Sequence, residues 1–329
     1  MPSYIFGTTR LLRLRDCPLL IAMSKSKPPP PGIYVPTVLF FNEDEDFDIP
    51  AIKAHVLRLA QAGLTGIIVQ GSNGEAQHLS HEERKQAISL TRETLDENGY
   101  KNVVIIAGCG APSARESKKL CADAKEAGAD FVIVLTPSVW VKRMTRDAIL
   151  AFHREVADHS PLPYLIYNFP SVTAGINLES DVILELSDHP NIVGTKLSCG
   201  SIGKLHRLTS AKPSSEFATF AGSSDVLLQG LLSGSAGAIG ALPNIVPKLH
   251  MNLYKLYQEG KIDEAMNLQA QLGQGDYATS KLGSISAIKA LVSQNFGYGK
   301  EYVRTPLRMA TAEQLHGPYY DKLVEKRVS

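Results

Sequence analysis

The chain has 329 residues, 44% of them hydrophobic and 20% charged, with a formal net charge of +1. That length suits one large α/β barrel or two smaller domains, and the balanced charge excludes the basic footprint of a nucleic-acid binder. No apolar run reaches the ~18 residues that span a membrane, and nine histidines without an HxH or HExxH motif argue against a metal-dependent mechanism.

Four cysteines (Cys17, Cys109, Cys121, Cys199) without a CxxC pair fit reduced thiols in an intracellular protein. Residues 1–31 stand apart. Arg10, Arg13 and Arg15 lie among leucines with Asp16 the one acid, which resembles a weak transit peptide. Met23 then opens Met-Ser-Lys-Ser-Lys followed by Pro28 to Pro31, the composition of a disordered lead-in. The expectation is an extension without an address on a cytoplasmic protein; a mitochondrial location follows if the segment is a transit peptide.

From Gly32 onward, strand and helix patterns alternate with short connections. Gly32–Pro36 reads as a strand, and residues 49–62 as a helix with Ala51, Val56, Leu57, Leu59 and Ala60 at helical spacing. Gly66–Gln70 is a second strand running into Gly71-Ser72-Asn73-Gly74-Glu75. Ser80 and Glu83 form a capping box for the next helix. Val103–Ala107 is a strand ending at Gly108-Cys109-Gly110, and Ser113 caps a helix that Gly128 ends. Phe131–Leu135, a helix near 147–157, the stretch Tyr164-Leu165-Ile166-Tyr167-Asn168-Phe169-Pro170 and a helix near 178–187 continue the rhythm. Asn191 to Gly200 follows, in which Ile192 and Val193 lead a strand to Lys196. Ala218–Gly222, a helix at 226–232 and Gly237–Gly240 complete the set.

Eight strands, each hydrophobic enough to be buried on both faces and each followed by a helical pattern, fit a parallel (β/α)8 barrel over residues 32–260. Residues 261–329 should form a helical appendage, with helices at 262–272, 284–295 and 312–326. An open doubly wound sheet is the alternative, and no GxGxxG opening a helix supports it.

On its own stretch Lys196 has two readings. A strand-end lysine can snorkel to solvent, or a buried amine can attack a carbonyl and hold it as a Schiff base. The active face of such a barrel lies at the strand carboxyl ends. Those ends carry Pro36-Thr37, the Gly71–Glu75 loop, Gly108, Thr136-Pro137, Tyr167-Asn168, Lys196, Gly222-Ser223 and Gly237–Gly240. Glycines and small hydroxyls leave room and free backbone N–H groups, which suits a small anionic ligand and favours the Schiff-base reading.

Gly71-Ser72-Asn73-Gly74-Glu75, Tyr167-Asn168-Phe169-Pro170, Gly194-Thr195-Lys196 and Gly237-Ala238-Ile239-Gly240 together resemble the dihydrodipicolinate synthase / N-acetylneuraminate lyase superfamily. The resemblance runs from Gly32 to about Leu307. It is nearest the 4-hydroxy-2-oxoglutarate aldolases and fungal aldolases of 2-keto-3-deoxy sugar acids. It implies a homotetrameric class I aldolase or lyase acting through pyruvate, with a covalent lysine imine and neither cofactor nor metal. It implies that Lys196 forms the imine, that Tyr167 carries protons, and that Ser72 relays them. Asn73 and Gly71 would hold the pyruvyl carboxylate, Ile239 would line the pyruvate site through its backbone, and Gly222 would line it as well. Read from the residues alone, Tyr167 could equally be a core tyrosine, Ser72 and Asn73 a turn, and His78 and His81 helix-entry surface residues.

Two departures bear on the acceptor side. Where the synthases resembled have Thr-Pro-Tyr-Tyr, the sequence is Thr136-Pro137-Ser138-Val139-Trp140, so Val139 supplies no relay hydroxyl and Val139-Trp140 is expected to set acceptor specificity with hydrophobic bulk. Where they have an arginine that clamps the aldehyde's carboxylate stands Val172; Arg143 or Lys142 could substitute. The expected partner is a small 2-keto acid, its aldehyde half neutral rather than glyoxylate or aspartate semialdehyde. Dihydrodipicolinate synthesis stands behind 4-hydroxy-2-oxoglutarate cleavage. A keto-acid-binding protein without turnover is the rival class, supported by Val139; a metal-dependent aldolase has no ligand cluster to support it.

Overall fold

Eight short strands rich in β-branched residues pair in sequence order and close on themselves. They are β1 (Gly32–Pro36), β2 (Gly66–Val69), β3 (Val104–Gly108), β4 (Phe131–Leu135), β5 (Tyr164–Asn168), β6 (Ile192–Leu197), β7 (Ala218–Ala221) and β8 (Gly237–Ile239). Every pairing is parallel, and β8 returns to β1 with Gly32 opposite Gly237. A side chain at Gly237, whose φ is +141°, would lie 1.9 Å from the carbonyl oxygen of Gly32, so the seam closes on bare backbone. The computed structural model describes residues 25–311.

Alternation along the strands divides the core in two. Ile33, Val35, Ile67, Val69, Ile105 and Val132 pack outward under the helices. Tyr34, Ile68, Ile106, Ile133, Leu165 and Phe220 fill the barrel interior, with the Tyr34 and Phe220 rings edge to face at 5.3 Å. The helices are α1 (Ile49–Gln61), α2 (His81–Glu97), α3 (Ala114–Glu126), α4 (Arg146–His159), α5 (Ser180–Ser187), α6 (Ile202–Ala211), α7 (Leu227–Leu232), α8 (Pro247–Gln258), α9 (Ile262–Lys281) and α10 (Ile285–Phe296). The Ser80–Glu83 capping box opens α2 as its sequence requires, and Ser113 accepts from the Glu116 N–H to open α3.

Two expectations change. The helix expected at 262–272 runs on to Lys281 through Gly273 and Gly275. Gly275 is buried, and Gln269 of the same helix accepts from Leu228 N–H and donates to the carbonyls of Ser224 and Asp225. Docking against the β7–α7 connection thus overrides the glycines' poor helix propensity. The proline segment is ordered rather than disordered over residues 25–31: Ser26 bonds Pro190 O and Asn191 Oδ1, and Tyr34 OH donates to Pro30 O at 2.7 Å. The arginine-containing stretch at 10–15 and the helix expected at 312–326 lie outside the described residues.

Candidate active site

Parallel pairing of β5 with β6 sets Tyr167 directly beside Lys196 at the carboxyl end of the barrel. Lys196 is 4% exposed and Tyr167 7%. Lys196 Nζ donates to Tyr167 OH at 3.1 Å and lies 4.3 Å from the tyrosine ring centroid; that ring stacks on Phe169. Among the described residues three lysines are buried, and the other two have polar partners. Lys204 Nζ bonds Asn177 Oδ1 and the carbonyl of Leu178, and Lys289 pairs with Glu75. Lys196 has no carboxylate partner among the described residues, and it lines a cavity of about 410 Å³. An amine that reaches neither solvent nor a counter-ion contradicts the snorkelling reading.

The cavity wall is supplied by strand-end loops. Gly71, Ser72 and Asn73 line it on one side, in and beside a 3₁₀ turn over Ser72–Gly74, and Asn73 Nδ2 is buried without a partner. Gln70, immediately before the turn, has a left-handed φ of 50° and an unpartnered buried Oε1. Leaving such groups unpaired is costly, so the loop is poised for polar contacts it does not make internally. Opposite stand Thr136, Pro137, Ser138 and Val139 after β4, and Val172 and Thr173 after β5. Val139 is 64% exposed and Val172 44%, making the rim on this side apolar. A volume of this size matches a small-molecule site, and among the described residues no group of three or more His, Cys, Asp or Glu could hold a metal ion.

The family model for the dihydrodipicolinate synthetase family matches residues 29–322. The chain belongs to this family. It is 47% identical over 276 residues to a protein of Emericella nidulans named a probable mitochondrial 4-hydroxy-2-oxoglutarate aldolase, covering 84% of this chain and 89% of that one. It is 39% identical over 308 residues to the L-threo-3-deoxy-hexylosonate aldolase of Aspergillus niger, covering 86% and 91%. A solved dihydrodipicolinate synthase family protein from Coccidioides immitis superposes with a TM-score of 0.81 at 34% identity, over 92% of this chain and 97% of that one.

Within this dihydrodipicolinate synthetase family barrel, the structure gathers Lys196, Tyr167, Gly71, Ser72, Asn73, Val139 and Val172 around one cavity. Three other residues expected at the site stand outside that lining. Trp140 is 72% exposed and is not among the lining residues. Ile239, expected there through its backbone, is fully buried and is not among the lining residues. Gly222 is explained by backbone approach, because a Cβ there would lie 2.4 Å from the carbonyl oxygen of Leu197. Arg143 and Lys142 are exposed on the next loop and are not among the lining residues.

Sequence reasoning missed residues that belong to the wall. His78, expected at the surface, is half-buried in the lining, its Nδ1 3.1 Å from Glu75 Oε2. His81 does sit at the helix entry, facing Glu116. Ile285, the first residue of α10, and Leu307, far along the chain, also close the cavity. Nothing local marks Ile285 or Leu307, since only chain reversal after the barrel brings them over its mouth.

Proposed function

We propose that this protein is a metal-independent Schiff-base aldolase that cleaves a 2-keto-3-deoxy sugar acid to pyruvate and an aldehyde. The observation that carries the reading is Lys196, buried at the cavity without a counter-ion and 3.1 Å from the Tyr167 hydroxyl. As free amine it attacks the 2-keto carbon; Tyr167 gives its proton to the departing hydroxyl, and loss of that water leaves a protonated imine and a tyrosinate. That cation draws in the electron pair of the C3–C4 bond as Tyr167 removes the proton of the C4 hydroxyl, releasing the aldehyde. The enamine takes a proton at C3, and water returns the lysine and frees pyruvate. Ser72 relays protons with Tyr167, while Asn73 Nδ2 and the backbone N–H groups of the Gly71–Asn73 loop receive the carboxylate. The aldolase names of the relatives support the lyase class. Full activity after exhaustive dialysis against a chelator is expected; loss of activity restored by a divalent metal would contradict metal independence.

The apolar rim decides the acceptor. Without an arginine at position 172, an acidic aldehyde forgoes a charge-assisted hydrogen bond worth ~1.5–3 kcal/mol. Since tenfold in rate corresponds to ~1.4 kcal/mol, aspartate semialdehyde should be used roughly ten- to hundredfold less well than a neutral aldehyde such as glyceraldehyde. Condensation of pyruvate with each aldehyde measures this. Equal efficiency would overturn the specificity argument, and Val172→Arg should shift the preference towards the acid. The second reading, cleavage of 4-hydroxy-2-oxoglutarate to pyruvate and glyoxylate, is favoured by the name of the Emericella nidulans relative. A panel of 2-keto-3-deoxy acids and 4-hydroxy-2-oxoglutarate, scored by pyruvate release, separates the two.

The same loop bears on assembly and the N-terminus on location. Val139, Trp140 and Val141 are exposed together beside the cavity, and apolar side chains so placed favour burial against another subunit. The proposed state is a homotetramer, which light scattering would contradict by returning a monomer at micromolar concentration. No helix among the described residues is long and apolar enough to cross a membrane. The arginine-rich start and the mitochondrial name of one relative favour a mitochondrial protein over a cytoplasmic one, testable by import of a reporter fused to residues 1–31.

A further inference from the structure

The reaction steps above leave Glu75 unused, yet no carboxylate in the site is held more completely. It sits between the 3₁₀ turns Ser72–Gly74 and Ala76–His78 at a left-handed φ of 54°, a conformation non-glycine residues adopt at a cost. Its Oε1 accepts from Lys289 of α10, and both side chains are fully buried. Its Oε2 accepts from the backbone N–H of Arg304 at 3.0 Å and faces His78 Nδ1. Lys289 also donates to Tyr302 O at 2.8 Å. The Arg304 guanidinium closes the arrangement on His78 O and Glu83. Burial pushes the Lys289 ammonium down to about 8, against the pull of Glu75.

A buried ion pair contributes little that a well-packed apolar pair would not. What this one does is tie together three elements of the cavity wall: the Gly71–Asn73 turn, α10 with Ile285, and the segment after α10 that brings in Leu307. We propose that Glu75 is a positioning residue. Tied to Lys289 and to the Arg304 N–H, it fixes the Gly71–Asn73 turn in the shape that receives the carboxylate of a 2-keto acid. The segment from Ile285 to Leu307 is then part of the active site rather than an appendage to it. This rests on the Schiff-base reading of the cavity.

The test is the pyruvate concentration giving half-maximal borohydride trapping, for the wild type, Glu75→Gln, Lys289→Met and the double variant. Misplacing a binding loop should raise that concentration roughly ten- to hundredfold in each single variant, with trapping still complete at saturating pyruvate. The double variant should be no worse than the weaker single, because both cut the same tie. Gln269→Leu, which breaks buried hydrogen bonds away from the cavity, is the control: it should lose thermal stability and keep wild-type half-saturation. Single variants within about twofold of wild type, or effects that multiply in the double, would overturn the proposal. Should one single variant not fold, the double leaves no unpaired buried charge and carries the comparison. Hydrogen exchange gives a readout free of ligand: the 70–78 and 297–307 peptides should lose protection together in either single variant. Unchanged protection in both peptides would sink the proposal even if the wild type trapped no pyruvate, an outcome that by itself would count against the Schiff-base reading.

Discussion

Lys196→Ala and Lys196→Arg should both abolish pyruvate release while the protein stays folded. Alanine removes the amine. Arginine keeps the charge in the same place, but its guanidinium stays protonated and cannot add to a carbonyl as an imine-forming nucleophile. The fold should tolerate both changes, because the one hydrogen bond of Lys196 Nζ is to Tyr167 OH and the side chain borders an existing cavity. Circular dichroism and thermal melting check the fold, and a pyruvate assay checks turnover. Activity in the arginine variant would show that the lysine acts by charge alone and would remove the covalent mechanism.

Tyr167→Phe should lower kcat by ~10²-fold or more, the loss expected for a positioned proton-transfer group. The substitution is confined to the hydroxyl. Phenylalanine preserves the stacking on Phe169 and the ring face that Lys196 Nζ approaches. The variant should therefore still trap pyruvate slowly, since imine formation needs only the amine and adventitious proton transfer. An unchanged kcat would reduce Tyr167 to packing within the barrel interior, where its ring already belongs.

The barrel is legible in the sequence because each strand is a short hydrophobic run, most of them rich in β-branched residues, followed by a helical period. Parallel strands covered on both sides show no other pattern. The Lys196–Tyr167 pair is legible for the same reason, once both fall at strand ends of neighbouring strands. Position along a strand does not report depth, however. Ile239 and Gly222 share the active face by strand order, yet neither lines the cavity: the Ile239 side chain packs in the barrel interior and a Cβ at 222 would meet the Leu197 carbonyl. Trp140 reads as hydrophobic bulk for a pocket and stands in the open. The helix through Gly273 and Gly275 and the ion pair of Glu75 with Lys289 depend on contacts between residues far apart in the chain. Local propensity carries no trace of such contacts. Glu75 lay within a recognised motif, but its partners come from the region read as a separate appendage.

The central claim is that Lys196 forms a covalent imine with a 2-keto acid. The most direct measurement is reduction of the full-length protein with borohydride in the presence of pyruvate, followed by digestion and peptide mass analysis. A reduced pyruvyl adduct is expected on the peptide carrying Lys196, with loss of activity in proportion to the fraction modified. An active protein that yields no adduct, or an adduct placed instead on Lys204 or Lys289, would contradict it.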